Sequence, residues 1–72
     1  MRLEWEPQET SGRNGARYLD QNGIHGIIYY NDDDVHWNLV LWMPSGLMTQ
    51  SDGFSSADEA ERDANMFIEH NA

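Results

Sequence analysis

The 72-residue sequence predicts an α+β fold, in which a four- or five-stranded antiparallel β-meander is crossed by one C-terminal α-helix. Three observations carry that prediction. Aromatic and β-branched residues gather into short runs, several of which alternate with period two. Turn signals separate the runs: Pro7, Asn22-Gly23, Asn31 to Asp34 and Pro44-Ser45-Gly46. Beyond Ser55 the apolar spacing changes to that of a helix.

The first predicted strand covers about residues 2–6, where Leu3 and Trp5 share one face and Arg2, Glu4 and Glu6 the other. Pro7 places it at an edge or ends it. Residues 8–15 hold two Gly and almost no apolar side chains and read as a loop. A second strand spans about 16–20, and Asn22-Gly23 then supplies the positive φ angles of a two-residue hairpin. The third strand, about 24–30, is dense in β-formers. Asn31 to Asp34 turn the chain into a fourth strand, about 35–43. There Val35, Trp37, Leu39, Leu41 and Met43 share one face, with His36, Asn38, Val40 and Trp42 on the other. Its second half is apolar on both faces, which predicts a central strand covered on each side. A short strand at about 47–50 follows the Pro44-Ser45-Gly46 turn, and Ser51-Asp52-Gly53 reads as a loop.

The helix is predicted over about 56–70. Ser56 followed by Glu59 matches a capping box, and Asp58 and Glu59 suit the positive N-terminal end. Ala57, Ala60, Ala64, Phe67 and Ile68 form the buried stripe, and Asn71 is placed to cap the C-terminal end. The whole chain, 1–72, reads as one domain without internal repeats. So short a domain needs an unusually good core or a staple. Its eight aromatics supply much of that core, each burying on the order of 150–250 Å². Homodimerisation through an edge strand or an exposed Trp is compatible as a further staple.

Composition excludes several chemistries. Cysteine is absent, which removes disulfides, thiol catalysis and cysteine zinc sites. No apolar run approaches the roughly 20 residues that span a bilayer. The N-terminal segment carries acids where a signal peptide has its apolar stretch, so a cytoplasmic location away from membranes is expected. Asp32-Asp33-Asp34-x-His36 lacks the ligand spread and turn glycine of a calcium loop and reads as a solvated turn. The three histidines, at 25, 36 and 70, are not at ligand spacing. Ser45 lacks a nucleophile elbow, and no glycine-rich phosphate cradle is present. No catalytic residue, metal site or cofactor is expected, and the chain reads as a non-enzyme.

Charge is the remaining feature. Thirteen Asp and Glu face four Arg and no Lys, giving a net charge of −9. Direct binding to nucleic acid needs the opposite sign. An acidic chain is instead drawn to basic, DNA-binding proteins. The surplus exceeds the magnitude of about 2–8 that solubility asks of a small domain. The predicted partner-binding residues are Asp32, Asp33 and Asp34 on the turn, with Asp58, Glu59, Glu61, Asp63, Met66 and Glu69 on the helix. Arg62 is spaced to pair with Asp58 or Glu59. Glu4, Glu6 and Glu9 form a further acidic group. Trp42 is either a partner anchor or covered by the N-terminal strand.

In size, lack of Cys, sheet-plus-helix pattern and acidity, the chain resembles small acidic anti-CRISPR proteins that bacteriophages use against host defences. That resemblance implies a protein partner, a basic DNA-binding subunit of a CRISPR surveillance complex (type I is the form chosen). Carboxylates would stand in for DNA phosphates, in the host cytoplasm. A second resemblance rests on Gly46-Leu47-Met48-Thr49-Gln50-Ser51-Asp52-Gly53 followed by Ser56-Ala57-Asp58-Glu59-Ala60. It is similar to the HicB-type antitoxin pattern of strand, Thr-Gln-Gly-Asp turn and helix, with Ser51 at the Gly position. It implies binding to a small basic toxin. A structural dimerisation domain is the third reading.

Overall fold

In the computed structural model, which describes residues 3–7, 16–33 and 35–71, five strands precede one helix. They are β1 (Glu6–Pro7), β2 (Arg17–Gln21), β3 (Ile24–Asn31), β4 (His36–Trp42), β5 (Met48–Phe54) and α1 (Ala57–Asn71). The sheet order is β1-β2-β3-β4-β5, and every neighbouring pair is antiparallel. The helix packs against one face, as the α+β prediction requires.

Turn chemistry sets the register. Asn22 and Gly23 take φ angles of 55° and 79°, giving the tight β2–β3 hairpin. Between β4 and β5, the Gly46 amide donates to the Met43 carbonyl and the Met43 amide to the Leu47 carbonyl. Pro44 suits the first corner of that turn, and Gly46, at φ 94°, takes the left-handed corner.

The helix starts where its cap predicts. Ser56 Oγ accepts from the Glu59 amide at 3.1 Å. The Glu59 carboxylate receives the amide and hydroxyl of Ser55, one residue earlier than in a standard capping box. At the other end, Asn71 Nδ2 donates to the Phe67 carbonyl at 2.8 Å. Ala57, Ala60, Ala64 and Ile68 are buried against Leu19, Ile28, Leu39 and Leu41 of the sheet, with Phe67 half-buried beside them.

Four element predictions are corrected. Strand pairing at the N-terminus involves Glu6 and Pro7, with residues 3–5 of the expected 2–6 strand off the ladder and Arg2 outside the described residues. Leu3 and Trp5 still face the core, but they reach it by packing under the sheet rather than through a ladder. Val35 leaves the core face of β4. The hairpin closes through the Val35 amide on the Asn31 carbonyl, which puts Val35 at φ 57° and 67% exposed. β5 runs on to Phe54, because Ser51-Asp52-Gly53 belongs to the strand rather than a loop. Trp37 pairs with Phe54 and Leu39 with Ser51, so Asp52 and Gly53 together oppose Asn38 in a bulge, with Gly53 at φ 84°. Finally, β4 is central but covered on one face only. No described element lies over Trp42, which is 39% exposed.

Candidate partner-binding surface

The predicted acidic residues divide by what their carboxylates do. Asp58 and Glu61 point back to the sheet and hold Arg17 of β2, at 2.7 Å and 2.9 Å. That corrects the expected Arg62 pairing: Arg62 only lies close enough to Glu59 to act on it through space. Partial burial opposes the Arg17 charge, but the bonds to Asp58 and Glu61 outweigh it and raise its pKa. Glu59 is tied up in the cap, and the Ser55 hydroxyl and amide hold its carboxyl below the ordinary value. Three helix acids therefore serve the fold.

Met66 and Glu69 are exposed on the outward side of α1, and Asp63 is exposed on its flank. Asp32 and Asp33 are exposed at the β3–β4 tip, where the Asp33 amide donates to Asn31 Oδ1. Asp34 and Glu9 lie outside the described residues. The tip and the start of α1 share one end of the sheet, since Phe54 pairs with Trp37. Met66 and Glu69 sit in the second half of the helix, so the candidates do not merge into one patch.

A second surface escaped the sequence reading: the sheet face opposite the helix. Cross-strand register lays down two rows across it. Tyr18, Ile27, Val40 and Gln50 form one, and Asp20, His25, Trp42 and Met48 the other. Tyr29 opposite Asn38 extends the patch toward the hairpin tip. Tyr18, Ile27, Tyr29, Trp42 and Met48 are all more than a third exposed, with Val40 buried among its neighbours. Scattered exposed hydrophobics need no explanation, but these are cross-strand or same-face neighbours, which makes the face a candidate contact surface.

Its rim is acidic. Glu6 accepts from the Tyr18 hydroxyl at 3.0 Å, a bond that raises the Tyr18 pKa by stabilising the neutral phenol. Asp20 lies 3.3 Å from His25 Nδ1 across the β2–β3 pair. Asp52, in the bulge, is exposed beside a recess of about 190 Å³ bordered by Tyr29, Asn38, Val40 and Gln50. Asn38 Nδ2 donates to the Tyr29 hydroxyl at 3.4 Å, while Asn38 Oδ1 is buried with no hydrogen-bond partner. The alternation of β4 could have revealed this face, because one helix can cover only one side of a sheet.

Among the described residues no group of three or more His, Asp or Glu is placed to hold a metal ion. Nor is any helix among them long and apolar enough to cross a membrane. Compared with protein families, curated proteins and solved structures, the chain has no match.

Proposed function

We propose that the chain is a non-enzymatic inhibitor that binds a basic, nucleic-acid-binding protein and displaces the nucleic acid. In the specific form suggested by its anti-CRISPR resemblance, the partner is a DNA-binding subunit of a type I CRISPR surveillance complex. One observation carries the reading: of the two described arginines one is taken up by ion pairs within the fold, and the carboxylates that face out outnumber the other. Arg17 is consumed by Asp58 and Glu61. Glu4, Glu6, Asp20, Asp52, Asp63 and Glu69 all stay exposed. A field of this sign attracts the surfaces that attract phosphates and speeds encounter with them.

The test is competition. Purified type I surveillance complex is mixed with labelled target duplex and increasing amounts of the protein, at low and moderate salt. Duplex is expected to be displaced, less so as the screening length contracts from about 30 Å at 0.01 M to about 8 Å at 0.15 M salt. The triple variant Asp32→Asn, Asp33→Asn, Asp34→Asn should displace less duplex while remaining folded. Undiminished displacement by that variant together with salt-insensitivity sinks the charge mechanism, and no displacement at any ratio sinks the assignment.

A further inference from the structure

The geometry points to the open face of the sheet as the docking surface, taking an arginine-bearing protein whose guanidinium enters the Asn38–Asp52 recess. This rests on the reading of a basic partner and adds which face binds it and which side chain is recognised.

The occupant follows from charge and shape. The face has an apolar centre at Ile27, Val40 and Trp42 and carboxylates at its rim from Glu6, Asp20 and Asp52. Both described arginines lie elsewhere, Arg17 reaching under the sheet to the helix and Arg62 on the helix itself. A second copy of the chain would bring two like-charged rims together, each on a molecule of net charge −9. A basic surface meets the same rim with opposite sign, and its apolar side chains can cover Trp42.

The recess narrows the choice to arginine over lysine. Asp52 borders it with a carboxylate, Gln50 with a side-chain amide and Tyr29 with a ring, and Asn38 lies beside them with its Oδ1 buried and without a partner. A guanidinium is a planar fork of five donors that also stacks on an aromatic face. It can engage several acceptors and the ring together, whereas an ammonium is a compact and strongly hydrated point charge. The bulge builds this recess, because placing Asp52 and Gly53 opposite one residue swings β5 away from regular pairing at Asn38.

The experiment is a titration of the ¹⁵N-labelled full chain with a nonapeptide of arginine, and separately of lysine, followed by NMR. Arginine peptide should shift Tyr29, the Asn38 side-chain amide, Gln50, Asp52 and the Trp42 indole, and bind severalfold more tightly than lysine peptide. Asp52→Asn should weaken arginine-peptide binding by about fivefold, the upper end of what one exposed ion pair supplies. Its unfolding midpoint should stay unchanged. Shifts centred on the outward face of α1 or the hairpin tip overturn the inference. Equal binding of both peptides, no binding, or a dimer in sedimentation that buries Trp42 also overturns it. The duplex competition with the unsubstituted protein is indifferent to which face docks, so displacement of duplex with shifts elsewhere would remove this inference and leave the inhibitory function standing.

Discussion

The indole of Trp5 lies directly on the bare backbone of Gly26. A Cβ at Gly26 would come within 2.5 Å of Trp5 Cη2 and 3.0 Å of Leu41 Cδ2. The same indole donates its Nε1 hydrogen to Asn65 Oδ1 at 2.9 Å, so one side chain links the N-terminal segment, the central strands and the helix. Gly26→Ala is therefore expected to destabilise the protein by about 1–3 kcal/mol, the usual cost of overpacking. Urea unfolding followed by tryptophan fluorescence measures it. In a Trp5→Leu background at least about 0.5 kcal/mol of that penalty should vanish, as for residues in direct contact.

Arg17 joins the second strand to the helix through two carboxylates of unequal exposure. Asp58 is 77% exposed and Glu61 32%. Solvent screens the Asp58 branch, so Glu61 should carry most of the coupling. Double-mutant cycles with Arg17→Gln are expected to give about 0.5–1 kcal/mol for Glu61→Gln and only a few tenths for Asp58→Asn. Equal couplings would show that exposure does not rank the two bonds.

The helix cap predicts a pH effect of definite sign. Ser55 holds the Glu59 carboxyl below its ordinary value of 4.5. Between the folded and unfolded pKa values the unfolded chain binds more protons, so stability rises with pH there. The cap's contribution is complete above the unfolded value and fades as pH falls through the lower, folded one. Ser55→Ala should move the Glu59 midpoint back up in an NMR titration and flatten the acid limb of the stability profile. An unchanged midpoint would mean that the Ser55 hydroxyl is not what depresses it.

Val35 is a β-branched residue at a left-handed φ of 57°. That conformation costs an L-residue roughly 1–2 kcal/mol. With 67% of the residue exposed, little packing is lost on removing the side chain. Val35→Gly is expected to stabilise by about 1 kcal/mol after allowing for the entropy of the unfolded chain. Thermal unfolding should show it as a rise of about 4–8 °C.

Local signals were readable in the sequence, and quantities that depend on how many layers the chain can build were not. Asn22-Gly23, Ser56 and the alanine stripe each act within a few residues, and the structure uses all of them as predicted. Alternation in β4 identified which residues share a face. Alternation alone does not leave Trp42 facing outward; that follows only when it is combined with the single helix, which covers one face and not two. Ser51-Asp52-Gly53 has loop composition yet sits in β5, since Gly53 at φ 84° lets the strand bulge and continue. The Arg17 pairing joins residues 41 and 44 positions apart, beyond the i, i+4 spacings that sequence inspection weighs for Arg62. The helix acids looked alike in sequence. Only their distance from β2 and from the cap separates those bonded within the fold from Asp63 and Glu69, which are exposed.

Every strand pairs only with its neighbour in the chain, while the helix that closes the core comes after all of them. From β2 to β5 the hairpins can therefore zip one after another across short turns, a topology that favours rapid folding. Their inner apolar side chains stay wet until α1 arrives. During synthesis the growing chain is thus a ribbon with two sticky faces rather than one. Docking of α1 dries the inner face and leaves the outer one exposed. One docking step thus halves the apolar sheet surface left open to water, and shortening the chain ahead of α1 should yield aggregates rather than a smaller version of the fold.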